Sequence, residues 1–128
     1  MNILIVDDKP NLVRVTAVAL STLGCQTFGA TTSAAATQLL ATERIDAVFL
    51  DLNLGGEDGL EYLSELTARS KIPVIIFTAH PKDEVVGKIW DRGAFGYLLK
   101  PFTVEDLRQQ LAQIKQFHLT GKTPRSIP

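Results

Sequence analysis

The sequence predicts an α/β domain built as a doubly wound, five-stranded parallel sheet. Three observations predict it. Short, continuous, β-branched apolar runs occur around residues 3–7, 47–51 and 73–78, as expected of strands covered on both faces. Helical apolar stripes separate those runs, so strand and helix alternate along the chain. A chain of 128 residues, 45% of them hydrophobic, is one domain that buries roughly two-thirds of its surface.

The elements follow in order. Ile3, Leu4, Ile5 and Val6 form the first strand. Leu12, Val13, Thr16, Ala17, Leu20 and Leu23 make a helical stripe, with Pro10 at its start and Gly24 as its stop. Gln26–Ala30 is a weaker second strand. A second helix starts at Ser33 and buries Leu39 and Leu40. Ala47, Val48, Phe49 and Leu50 form the third strand, and the next helix carries Leu60, Leu63 and Leu66. Val74, Ile75, Ile76 and Phe77 form the fourth strand. A fourth helix runs from about Lys82 to Arg92, with Val85, Val86, Ile89 and Trp90 inside, and Gly93 ends it. Gly96–Leu99 is a weaker fifth strand. Thr103, with Asp106 three residues on, announces the fifth helix as a variant capping box, and its stripe is Leu107, Leu111 and Ile114. Right-handed crossovers between covered strands give the flavodoxin-like order 2-1-3-4-5. The domain is expected over residues 1–117. Residues 118–128 lose the periodicity and read as a tail or the start of a linker.

Composition excludes several classes. A net charge of −1 gives no electrostatic footprint for nucleic acid or an anionic membrane. The single cysteine, Cys25, excludes an internal disulfide and fits a reducing cytoplasm, where it reads as a small hydrophobe. Four apolar residues followed by two acids are neither a signal peptide nor an anchor. Val15 to Thr42 carries no charge, but Thr, Ser, Gly and Gln interrupt it too often for a spanning helix.

The chemistry lies where the strands end. Asp7 and Asp8 follow the first run, Asp51 the third, Thr78 the fourth and Lys100 the fifth. In a parallel sheet these C-terminal ends share one edge, and ligands bind there at the switch between the first and third strands. Each residue alone has an ordinary reading: a loop start, an N-cap, a β-branched strand residue, a counter-ion. Together they are three carboxylates, a hydroxyl and an ammonium converging on one crevice. Three carboxylates repel unless a cation neutralises them. Mg²⁺ suits, needing oxygen ligands and keeping several waters, and Mn²⁺ accepts similar donors. The calcium-loop spacing is absent, and two distant His with one Cys do not make a zinc site.

The segments ILIVDD, AVFLDLNL followed by GGEDG, VIIFTA and GAFGYLLKPF resemble the receiver domain of two-component response regulators over roughly residues 2–117. The resemblance implies that Asp51 accepts a phosphoryl group from a histidine kinase or a histidine phosphotransfer protein. It implies that Asp8 and Asp51 give side-chain oxygens to Mg²⁺, Asn53 its backbone carbonyl, and Asp7 a water-mediated contact. Thr78 would hydrogen-bond the phosphoryl group, Lys100 would ion-pair with it, and Tyr97 would be the switch aromatic. Asn53 and His80 would flank the path of the water that removes the group. The Lys100–Pro101 bond is expected to be cis, and Tyr97 to lie outward or mixed at rest. The message would leave through the face of the fourth helix, fifth strand and fifth helix, which is also the expected surface of a weak dimer.

Some positions depart from the family pattern. Gly55-Gly56 stands where Pro-Gly is usual, which should loosen the loop after Asp51. Gly96 replaces an acid found in many relatives that dimerise through that face. Lys9 replaces a commonly acidic neighbour of the aspartate pair. Val15 and Val18 lie off the core stripe of the first helix and read either as scattered surface apolar residues or as a kinase-docking face. Trp90 and Phe95 read as packing residues. Two other functions compete. A Mg²⁺-dependent phosphatase with an aspartyl nucleophile needs a second acid two residues on, and Asn53 occupies that place. A phosphorylation-silent receiver would be an interaction module only. The chain is expected to be no enzyme beyond its own phosphorylation and slow dephosphorylation.

Overall fold

The computed structural model describes residues 1–79 and 83–122, with residues 83 and 84 described by backbone alone. His80, Lys82 and most of the expected tail lie outside the described residues. The elements run β1 (Asn2–Val6), α1 (Pro10–Thr22), β2 (Gln26–Ala30), α2 (Ser33–Thr42), β3 (Ala47–Asp51), β4 (Asn53–Leu54), β5 (Glu57–Asp58), α3 (Gly59–Arg69), β6 (Val74–Thr78), α4 (Asp83–Asp91), β7 (Gly96–Leu99) and α5 (Val104–Thr120). The main sheet has the order β2-β1-β3-β6-β7, all neighbours parallel. Counting its five strands along the chain, this is the expected 2-1-3-4-5.

Alternation divides the core. Leu4, Val6, Val48, Leu50, Val74 and Ile76 face one way, against α2, α3 and α4. Ile3, Ile5, Phe49, Ile75 and Phe77 face the other, with Leu20 of α1 and Leu107, Leu111 and Ile114 of α5. Phe49 and Phe77 meet edge-on at 5.5 Å between ring centroids, and both are fully buried. Each such side chain stabilises the fold by about 1.5–3 kcal/mol relative to exposure.

The period of two also aims the polar residues at the strand ends. Asp7 continues the phase of Ile3 and Ile5, Asp51 that of Ala47 and Phe49, and Lys100 that of Leu98. All three therefore leave the sheet on the α1–α5 side. Thr78 and Tyr97 share the opposite phase, and in register Tyr97 stands beside Ile76, making it a diagonal neighbour of Thr78.

Several expectations need correction. Leu39 and Leu40 are only half-buried; Ala36 is the buried residue of α2. In α4, Ile89 is fully buried, whereas Val85, Val86 and Trp90 are partly exposed. The fifth helix does not stop at residue 117 but continues to Thr120, where Gly121 closes it in the left-handed conformation. His118 lies within this helix, its ring reaching the Asp46 carbonyl at 3.2 Å and packing on Phe117. The loop after Asp51 has a defined fold. It is a two-residue hairpin in which Asn53 pairs with Asp58 and Leu54 with Glu57 across Gly55-Gly56. Gly55 supplies the positive φ at the first turn position, +68°. Among the described residues, no helix is long and apolar enough to cross a membrane.

Candidate functional site

The crevice sits between the ends of β1 and β3, neighbours at the topological switch point. Asp7 and Asp51 are buried charged residues, at 1% and 5% exposure. Carboxylate oxygens of Asp7, Asp8 and Asp51 all lie within 4.8 Å of one another. Lys100 lies between two of them, its Nζ 2.9 Å from Asp51 Oδ2 and 3.3 Å from Asp7 Oδ2. The Lys100–Pro101 bond is cis, as expected. The other oxygens are held locally. The Lys9 amide donates to Asp7 Oδ1 and the Asn53 amide to Asp51 Oδ1, both at 3.0 Å.

The charges explain the shifts. Burial pushes the Asp7 carboxyl up; the Lys9 amide and Lys100 oppose it, and the charge of Asp51 adds to it. Burial alone would lower Lys100, but its hydrogen bond to Asp51 and the charges of Asp51 and Asp7 outweigh that, and its pKa is raised. Lys100 therefore stays an ammonium. One ammonium among three carboxylates leaves the crevice an excess of acid, which a divalent cation would offset.

A second observation concerns Asp8. Its Oδ1 is buried and has no hydrogen-bond partner among the described residues. A buried carboxylate oxygen without a donor is costly, and native structures seldom leave one unexplained. The donors present are all oxygen, the set a hard divalent cation requires. The residues fit such an ion.

The sequence-derived candidates are thus brought together in part. Asp7, Asp8, Asp51 and Lys100 converge. Asn53 opens the hairpin beside them, with its side chain exposed. Thr78 is half-exposed at the end of β6, where its carbonyl accepts from the Lys100 amide at 2.8 Å. Tyr97 stands away from the carboxylates. It is half-buried, between the outward and inward positions, with its ring edge-on to Trp90 at 5.8 Å. Next to the crevice, a groove of about 410 Å³ runs along α1, lined by Asp7, Leu12, Val15, Thr16, Lys100 and Phe102. Val15 and Val18 stand 65% and 61% exposed, off the core side as expected. Another recess, lined by Leu40, Val48, Leu66 and Ile72, opens at the opposite edge of the sheet, away from the acid cluster.

Sequence reasoning missed the contacts across α2. Glu57 accepts from the Ser33 amide at 3.0 Å and from the Ser33 hydroxyl at 2.5 Å. The Thr37 and Tyr62 hydroxyls lie 2.9 Å apart. Asp58 caps α3, accepting from the Leu60 and Glu61 amides. The adjacent glycines were a readable hairpin signal; the partners of Glu57 and Tyr62 were not, because both are distant in sequence.

A doubly wound sheet with an acid cluster and a lysine at its switch point defines a class, and the comparisons agree with it. Residues 3–112 match the family model of the response regulator receiver domain. The chain belongs to that family, the receivers of two-component systems. It is 32% identical over 123 residues to the KDP operon transcriptional regulatory protein KdpE of Escherichia coli, covering 96% of this chain and 55% of that protein. It is 36% identical over 121 residues to the transcriptional regulatory protein BasR of Escherichia coli, covering 92% of this chain and 54% of that protein. The chain spans about half the length of the curated relatives it matches. Among solved structures, the receiver domain of NtrX from Brucella abortus superposes with a TM-score of 0.83 at 29% identity, covering 89% of this chain and 98% of that one. Chemotaxis protein CheY4 of Vibrio cholerae gives 0.82 at 24% identity, covering 88% and 97%, a likeness of fold alone.

Proposed function

We propose that this chain is a phosphoaccepting receiver in which Asp51 takes the phosphoryl group from a phosphohistidine of a histidine kinase or histidine phosphotransfer protein. The observation that carries this reading is the crevice itself. Asp51 shares the Lys100 ammonium with Asp7, while Asp8 beside it keeps a buried oxygen without a partner.

In the transfer, a carboxylate oxygen of Asp51 forms a bond to phosphorus as the phosphorus–nitrogen bond to the donor imidazole breaks. A carboxylate is a weak nucleophile, so the step rests on alignment and charge neutralisation. The Asn53 amide holds Asp51 Oδ1 and so fixes the carboxylate plane. Lys100 already contacts Oδ2 and is placed to follow charge onto the phosphoryl oxygens. The Thr78 hydroxyl would donate to another of those oxygens. Asp8 and Asp51 would hold Mg²⁺, or Mn²⁺, with the Asn53 carbonyl and with Asp7 through water. When bound, that cation supplies positive charge against the phosphoryl oxygens. Water hydrolyses the resulting acyl phosphate and resets the switch. Asn53 offers no acid to a leaving group, so the chain is read as no enzyme toward outside substrates.

The groove beside α1, with Val15 and Val18 exposed, is the surface we assign to the histidine donor. The face of α4, β7 and α5 is the output, through Thr78 and Tyr97 on one side of the sheet, and the surface of a weak dimer. The unpaired Cys25 fits a cytoplasmic setting. With Mg²⁺ and a small acyl phosphate, the chain should gain one phosphoryl mass by intact mass spectrometry, and Asp51→Asn should gain none. Equal labelling of the two proteins would sink the assignment.

A further inference from the structure

We infer that Glu57 is a positioning residue for the acidic crevice, clamping its hairpin wall onto α2; this rests on the metal-binding reading given above. The hairpin of β4 and β5 is one wall of the crevice. A Cβ on Gly55 would lie 3.4 Å from Asp8 Oδ2, so the turn sits directly against that carboxylate. Its outgoing strand carries Asn53 and is anchored by Leu54, buried in the core. Its return strand has no apolar anchor, since Glu57 and Asp58 are both exposed. Two adjacent glycines at the turn leave the backbone little resistance to shifting.

What ties the return strand is polar. Asp58 caps the helix that follows it, a local contact. Glu57 reaches a separate element. Both of its oxygens are engaged by Ser33, one by the amide and one by the hydroxyl. Ser33 is the first residue of α2, and that helix has no acid of its own in its first turn. Glu57 supplies the negative charge its N-terminus favours. One turn along the same helix, Thr37 meets Tyr62 of α3. The two contacts form a polar seam joining α2 to the hairpin and the helix after it.

The consequence follows from what Mg²⁺ demands. It takes short oxygen contacts in near-ideal octahedral geometry and tolerates misplaced ligands poorly. Asn53 would serve through its backbone, so its carbonyl is placed only as well as the hairpin is placed. Without the clamp, the hairpin retains its fold but loses its reference to α2, and the Asn53 carbonyl is placed only by the Asn53 amide bond to Asp51 and by Leu54, hence less closely against Asp8.

The test is a titration of the intact chain with MgCl₂, followed by the amide resonances of Asp8, Asn53 and Ser33, beside the thermal midpoint of the metal-free protein. Glu57→Ala should weaken Mg²⁺ binding by about tenfold, the lower end for residues supporting a metal ligand, with the metal-free midpoint lowered only slightly because Glu57 is exposed. Glu57→Gln, which can still accept from the Ser33 amide, should recover most of the affinity. Ser33→Ala removes one of the two bonds and should weaken binding less. In the wild type, Mg²⁺ should shift the Ser33 amide, and Glu57→Ala should abolish that response. Wild-type affinity in Glu57→Ala overturns the inference, as does a Gln variant no better than the Ala variant. If Glu57→Ala fails to fold, Ser33→Ala decides, and unchanged Mg²⁺ affinity in that variant overturns the inference. A wild type without any Mg²⁺-dependent shift at Asp8 or Asn53 sinks the metal-binding reading itself and the role of Glu57 with it.

Discussion

Asp8 shows how one residue can act against stability and for function. Its Oδ1 is buried without a donor, and the carboxylates of Asp7 and Asp51 lie beside it. Removing the carboxylate relieves both penalties. Asp8→Ala should therefore stabilise the metal-free protein, by about 1 kcal/mol at the low end for an unsatisfied buried group. The same change should remove the rise in thermal midpoint that MgCl₂ gives the wild type, since a ligand stabilises only the state that binds it. Thermal melts with and without MgCl₂ check both parts. A destabilised, still Mg²⁺-responsive variant would contradict the assignment of Asp8 as a ligand. Cys25 needs no role beyond packing. Burial pushes its thiol up, which keeps the thiolate scarce at neutral pH.

At the scale of elements, two helix starts are open to test. Thr103 and Asp106 form a reciprocal capping box at α5, with bonds of 3.1 and 2.9 Å. Thr103→Ala should cost about 1 kcal/mol in a denaturant titration. The start of α2 depends on pH instead. Hydrogen bonds from the Ser33 hydroxyl and then its amide hold the Glu57 carboxyl below its ordinary value, against a small opposing effect of burial. A depressed carboxyl contributes stability fully above its unfolded value and loses it as pH falls through the folded one. The clamp should therefore open on acidification. The Ser33 amide resonance should follow the Glu57 titration, with a midpoint below that of an unpaired glutamate. A Ser33 amide that ignores that titration would contradict the clamp.

For the whole molecule, the question is how a change at Asp51 reaches a distant face. Thr78 and Tyr97 emerge on the same side of the sheet, on adjacent strands β6 and β7. Tyr97 rests edge-on against Trp90 of α4, the only tryptophan in the chain. On the proposed reading, drawing Thr78 toward phosphoryl oxygens would vacate space for Tyr97, and Trp90 would lose its ring contact with Tyr97. Phosphorylation with a small acyl phosphate should change Trp90 fluorescence. Thr78→Ala should still take the phosphoryl group but give a diminished change. An unaltered spectrum in a fully labelled wild type would remove this route.

How much of this the sequence determined follows from the range of the forces involved. Strand runs, helix stripes, the capping box and the crevice residues rest on local periodicity and on parallel strands ending at one edge. Ile3 to Val6 followed by Asp7 and Asp8 carries that information by itself. The α5 end was misjudged because His118 is held by Asp46, 72 positions away. Gly55-Gly56 announces a flexible turn, but not that Leu54 is buried in the core or that Glu57 reaches Ser33, because those contacts are not local. Leu39, Leu40 and Trp90 were placed by their hydrophobicity, but how far each is covered depends on which neighbour packs over it. The pattern of side chains decided the fold and the crevice. Only the tertiary structure decided that Lys100 sits between Asp7 and Asp51, that Tyr97 rests on Trp90, and that Glu57 of the hairpin bonds Ser33 of α2, because each is a contact between residues that the chain itself keeps apart.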